Sequence, residues 1–268
     1  MEFSDIVILV STGLVAGFLS GYLGIGGGVI VVPVLVFYLQ GVVESSEIFL
    51  IASTISLGVV FAAAANSSVK HIKSDNYYKK AIIPVSLGAI LGPIPGNYFC
   101  SILSDRSRIF FFALILSILA VRIFFLDTEE VLEPGKKRRM PLFRTPDMFI
   151  AGLFMGTVSA MTGIGGGSIL VPLLAAVLRF NLKKSVGLAS IVMVFNAVSS
   201  LIGRYFIGSF NDIEMSLYFS ILLLITLGTL FTARMGAHFN IKSKDKSFKK
   251  IAGVVYLIVA VQMYIKAF

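Results

Sequence analysis

The chain has 268 residues, 57% of them hydrophobic and only 14% charged, with a mean hydropathy of +0.93 and a formal net charge of +9. A soluble domain averages about 45–50% apolar and about 25% charged residues, so a water-soluble globule is excluded and the bilayer is the natural solvent. The positive charges sit in short loops between apolar segments, where membrane topology accounts for them and nucleic-acid binding does not.

The first apolar stretch, 6–23, follows Glu2 and Asp5 rather than Lys or Arg, so it reads as a retained membrane segment and not as a signal peptide. The stretches after it are 29–39, 48–65, 81–103, 109–126, 147–162, 168–178, 185–207, 215–236 and 251–267. Those of about 20 residues are long enough to span as helices. The stretches 29–39 and 168–178 are too short: at about 1.5 Å per residue each covers roughly half a hydrocarbon core.

Each short stretch follows a glycine cluster, Gly24-Ile25-Gly26-Gly27-Gly28 and Gly163-Ile164-Gly165-Gly166-Gly167. The surroundings match as well. GLVAGFLSGYLGIGGGVIVVPVL begins at Gly13 and GLFMGTVSAMTGIGGGSILVPLL at Gly152, which pairs Gly17 with Gly156, Ser20 with Ser159 and Pro33 with Pro172. A weaker match joins Ala52-Ser53 to Ala189-Ser190, and Gly88 and Gly96 to Gly228 and Gly236. The chain is therefore two repeats, 1–126 and 147–268, joined by a polar linker at 127–146.

Loop charge orients the repeats. The basic loops are 66–80, the linker, 179–184 and 239–250, while 40–47 carries no Lys or Arg, 104–108 carries Arg106 and Arg108, and 204–214 only Arg204. The positive-inside rule places the basic loops, linker included, in the cytoplasm. The expected fold is all-α, a polytopic protein of the cell membrane. Its two repeats are inverted, each of about five membrane segments including a Gly-rich broken or re-entrant hairpin, an architecture of transporters.

Glycine reaches backbone conformations that other residues cannot, and a broken helix is tolerated in lipid only where it is buried or lines a wet cavity. The helices starting near Val29 and Ser168 present unpaired N–H groups at the positive end of the helix dipole, an anion site without a charged side chain. The candidate substrate-binding residues are accordingly Gly24, Gly26, Gly27, Gly28, Gly163, Gly165, Gly166 and Gly167, joined by Ser168, Ser53, Ser190 and Asn196 from the polar positions of apolar segments. Pro33 and Pro172 are candidate hinges. The competing reading of a membrane glycine is close helix packing, which suits Gly13, Gly17, Gly21, Gly152, Gly156 and Ala160.

Arg122, Arg204 and Arg234 lie near segment ends, and snorkelling to the interface is the expectation for each. One turned inward would be an anion ligand. Asn66 and Asn97 also sit near segment ends, where solvation explains them. Cys100 is the single cysteine and reads as a small apolar residue; His71 and His238 form no zinc motif, so no metal or cofactor is expected. No P-loop sequence and no G-x-S-x-G elbow occurs.

At GYLGIGGGVIVVPVL (21–35) and AMTGIGGGSILVPLL (160–174), supported by IASTIS at 51–56 and GLASI at 187–191, the sequence resembles the sulfite exporter TauE/SafE family of membrane permeases. The resemblance covers essentially the whole chain. It implies transport of sulfite, thiosulfate, organosulfonates or related small anions, and points to the two glycine clusters with Pro33 and Pro172. A potential of 100 mV is worth about 2.3 kcal/mol per charge, enough to expel an anion without coupling. Export is the expectation; coupling to protons or sodium stays open, as do an anion channel and a non-transporting membrane enzyme or accessory subunit.

Overall fold

A computed structural model of the protein describes residues 3–124, 144–208, 213–242 and 245–267. Residues 127–143 of the expected linker lie outside these described residues. The first half holds α1 (Phe3–Leu23), α2 (Gly28–Leu39), α3 (Ile48–Lys73), α4 (Lys79–Leu91), α5 (Pro93–Ile102) and α6 (Asp105–Phe124). The second holds α7 (Thr145–Thr162), α8 (Gly167–Ala176), α9 (Leu182–Phe206), α10 (Met215–Lys242) and α11 (Asp245–Ala267). No strand occurs among the described residues.

Within the described residues the apolar stretches of the sequence are helical apart from Gly92 and a residue or two at some of their C-terminal ends. Six are long and apolar enough to cross a membrane: Phe3–Leu23, Ile48–Lys73, Lys79–Ile102, Leu182–Phe206, Met215–Lys242 and Lys250–Ala267. The span Lys79–Ile102 comprises two consecutive helices, α4 and α5. Gly92 and Pro93 interrupt it, because Pro93 has no N–H to continue the ladder. The short helices α2 and α8 are 12 and 10 residues long. Each carries a proline at its sixth residue, Pro33 and Pro172.

The helices pair in a pattern that one half repeats in the other. Helix α1 packs along α10, and α7 packs along α4 and α5. Helix α2 lies on α3 and α8 on α9; α3 faces α9 across the centre and α6 faces α11. The central pair is the most enclosed: 72% of the apolar window of α3 and 61% of that of α9 is buried, against 28% for α10.

Small residues allow these approaches. A Cβ on Gly17 would stand 2.5 Å from the Thr229 Cα, and one on Gly228 2.7 Å from the Leu14 N. Across the other pair, a Cβ on Gly92 would stand 2.7 Å from the Thr157 N and one on Gly96 2.9 Å from the Ala160 Cβ. With backbones so close, threonines bond across them: Thr232 Oγ1 donates to Leu14 O at 2.7 Å and Thr157 Oγ1 to Gly92 O at 3.0 Å. Lipid gives no hydrophobic drive between helices, so such packing and hydrogen bonding hold the bundle together.

One end of α3 is fixed by charge. Asp105 accepts from the Phe49 N at 2.9 and 3.1 Å and from the Leu50 N at 3.3 Å, capping the first turn. Arg108 bridges Asp105 at 3.3 Å, contacts Glu47 and donates from Nε to Cys100 O at 2.8 Å. The corresponding start of α9 is capped by Asn181, whose Oδ1 accepts from the Lys183 N at 3.1 Å and the Lys184 N at 3.4 Å.

Candidate functional site

The two glycine clusters take the same backbone path. Gly24 and Gly163 have φ of 68° and 71°, Gly26 and Gly165 82° and 92°, and Gly27 and Gly166 both 77°. These are left-handed values, which an L side chain strains to adopt. Gly24 N donates to Ser20 O at 2.9 Å and Gly163 N to Ser159 O at 2.8 Å, closing α1 and α7. Gly27 and Gly166 then serve as N-caps of α2 and α8 without any side-chain cap. The first N–H groups of both short helices thus carry the usual unpaired donors and the positive end of the dipole.

The clusters meet at the centre of the protein. A Cβ on Gly28 would collide with Gly163 O and stand 2.7 Å from Ile164 O; one on Gly167 would collide with Gly24 O. Gly26 lies beside Ile164 O and Met193 Sδ, and Gly165 beside Val60. Val60 and Met193, with Ala64 and Ala197, form a small apolar cluster between α3 and α9. All ten residues of the two clusters are buried. In this conformation main chain covers main chain at the helix starts, and Val60 and Met193 fill the space beside them.

Polar side chains surround this contact. Ser56 Oγ donates to Gly163 O at 2.8 Å. Ser53 presses its backbone and Cβ against Gly163, within 2.6–2.8 Å of where a Cβ would stand. Asn196 is fully buried and donates from Nδ2 to Ser159 Oγ at 2.7 Å, while its Oδ1 has no partner. Ser168 is buried in the first turn of α8. Ser190 instead keeps to its own helix, donating to Val186 O at 3.0 Å. Of the twelve candidate residues, the glycines, Ser53, Ser168 and Asn196 gather at or beside the contact.

Two expectations drawn from segment ends are corrected. Asn97 is not solvated: it is 3% exposed, and its Nδ2 donates to Ser200 O at 3.2 Å. Arg204 does not snorkel. It lies inside α9 and is fully buried, whereas Arg122 and Arg234 are exposed. Its Nη1 donates to Cys100 Sγ at 3.0 Å, and its Nη2 to Ser53 Oγ at 3.1 Å and Ala160 O at 2.6 Å. Among the described residues no carboxylate lies within 4.0 Å of it. A sequence signal existed: Asn196, Ser200 and Arg204 recur every fourth residue of an apolar segment, one polar stripe along one helix face.

A polytopic helical bundle with two glycine-capped short helices buried at its centre is the frame of a membrane transporter. The sequence profile described as "Sulfite exporter TauE/SafE" matches residues 9–263, and the chain belongs to that family. It is 30% identical over 274 residues to a "Probable membrane transporter protein" of Haemophilus influenzae, covering 98% of this chain and 100% of that one. The "Probable membrane transporter protein YunE" of Bacillus subtilis is 23% identical over 271 residues, 96% of each chain. A probable membrane transporter protein of Methanocaldococcus jannaschii is 26% identical over 254 residues, 90% of this chain and 89% of that one. No solved structure matches. The family and its relatives are transporters, and the enzyme reading ends there.

Proposed function

We propose that this transporter exports a small sulfur-containing anion, such as sulfite, thiosulfate or an organosulfonate, by alternating access of two inverted repeats. The anion is held near the midplane by the N-termini of α2 and α8. The observation that carries the reading is the meeting of these two uncapped helix starts inside the protein, each behind a left-handed glycine. Helix N-termini attract anions through free N–H groups and the dipole. The family's name supports the choice of anion.

The repeated pairing of helices supports a two-fold relation, and the alternation of basic loops supports its inverted sense. Helices of 12 and 10 residues reach about half of the hydrocarbon core, which suits hairpins that enter and turn back. In the observed conformation main chain covers the two helix starts, with Val60 and Met193 beside them, so loading requires the two glycine clusters to part and these side chains to make room.

The test is uptake of radiolabelled sulfite and thiosulfate into proteoliposomes, beside the double variant Gly27→Leu/Gly166→Leu. Uptake by the wild type that disappears in a folded double variant is the expected result. Equal uptake by both would remove the helix starts from the pathway, and counterflow absent at channel-like rates would replace a carrier by a channel.

A further inference from the structure

The guanidinium of Arg204 is enclosed by three helices other than its own. It reaches α3 through Ser53 Oγ, α5 through Cys100 Sγ and α7 through the Ala160 carbonyl, three residues before Gly163. Ser53 is the same residue that presses on Gly163, so the charge stands one side chain away from the turn between α7 and α8. All three partners are neutral, and Nε has none.

Burial of a charge is expensive unless an opposite charge comes to it. The fold supplies such charges elsewhere. Arg108, also buried, is bridged by Glu47 and Asp105, and its Nε donates to the carbonyl of the same Cys100 whose thiol receives Arg204. One arginine is thus neutralised by the protein and its neighbour is not. In the repeat register that pairs Ser53 with Ser190, the place of Arg204 falls to Ser67 in the first half. Among the described residues the second half therefore holds at this place a buried cation that the first half lacks, whereas the glycine-capped helix start occurs in both.

We propose that Arg204 is the anion-selectivity residue of this transporter: the transported oxyanion is its missing counter-charge. When the anion enters, the guanidinium exchanges neutral partners such as Ser53 Oγ and Cys100 Sγ for two oxygens of one ligand. A planar fork of donors matches paired oxygens of a sulfite, sulfonate or carboxylate, which a lysine ammonium cannot do. The inference rests on the reading of the protein as a small-anion transporter and adds the residue that enforces charge.

The test measures anion-dependent stabilisation and transport together. Purified protein in detergent is titrated with sulfite, thiosulfate, methanesulfonate and acetate while thermal unfolding is followed, for wild type, Arg204→Met and Arg204→Lys. The same proteins are reconstituted for radiolabelled uptake. In the wild type at least one anion raises the unfolding temperature in a saturable way. Arg204→Met loses that rise, and Arg204→Lys, which keeps the charge if the methionine variant fails to fold, needs at least tenfold more anion for the half-maximal effect. The readout is the anion dependence and not stability itself, so a merely structural arginine would leave the midpoint unmoved. A wild-type midpoint in either folded variant overturns the role of Arg204 and leaves the transporter reading standing. No stabilisation and no uptake with any of the four anions in the wild type overturns both.

Discussion

Gly28 sits in a regular helical conformation at the first turn of α2, so alanine there adds no backbone strain. The added methyl has nowhere to go. It would collide with the Gly163 carbonyl oxygen and stand 2.7 Å from Ile164 O and 2.8 Å from Ile164 C, all main-chain atoms that cannot rotate aside. Reaching ordinary contact near 3.4 Å with that carbonyl oxygen requires the two clusters to part by about 1 Å, a gap that forfeits up to about half of the dispersion well of the atoms around it. Overpacking of this kind costs about 1–3 kcal/mol. For a chain of this size that lowers the unfolding temperature by roughly 2–12 °C. Gly41 is the control, since a Cβ there meets only Tyr38 O at 3.8 Å and its replacement by alanine stays within about 0.5 kcal/mol. Thermal unfolding of the purified variants in detergent, with anion uptake measured on the same preparations, decides the matter. Gly28→Ala unfolding within 1 °C of Gly41→Ala would refute the contact between the clusters.

Three further outcomes follow from side chains. Ser159→Ala strands the buried Asn196 amide and destabilises by about 1–3 kcal/mol, whereas Asn196→Leu added to Ser159→Ala recovers part of the loss, a non-additivity readable from unfolding temperatures. Asp105→Ala removes the cap of α3 and one partner of Arg108, costing about 1–3 kcal/mol; hydrogen exchange at Phe49 and Leu50 rises more than elsewhere in α3. Arg179 is exposed with φ of 56° between α8 and α9, so Arg179→Gly raises stability by about 0.5–1 kcal/mol, seen as a higher unfolding temperature. A decrease there would place an unrecognised contact on the arginine.

The helices were legible because lipid leaves the backbone no alternative: each apolar stretch had to satisfy its own hydrogen bonds. The short helices α2 and α8 were located within a residue or two, since three consecutive glycines mark a break that length alone confirms. The interruption at Gly92-Pro93 was passed over because hydropathy averages across it. Helix α3 outruns its apolar stretch, continuing to Lys73 through Ser67 and Ser68, which are buried against neighbours that hydropathy does not register.

The candidate site was legible in its backbone and illegible in its surroundings. Positive φ at Gly27 and Gly166 is written in residue type, whereas the choice of Val60 and Met193 as the residues beside the contact is made by tertiary packing. Arg204 shows the limit most clearly. A charge three residues from the end of an apolar stretch has the reach to snorkel, and only the positions of Ser53, Cys100 and Ala160 reveal that it turns inward.

The meeting of Gly28 with Gly163 and of Gly167 with Gly24 is a seam of peptide against peptide. A seam without side chains carries no chemical vocabulary: it reads shape and charge sign but offers nothing that tells one oxyanion from another. Discrimination has to be written in the ring of residues around it, on α3, α5 and α9, which can change while the seam stays fixed. One scaffold can therefore be readdressed to a different cargo by substitutions that never touch its glycines.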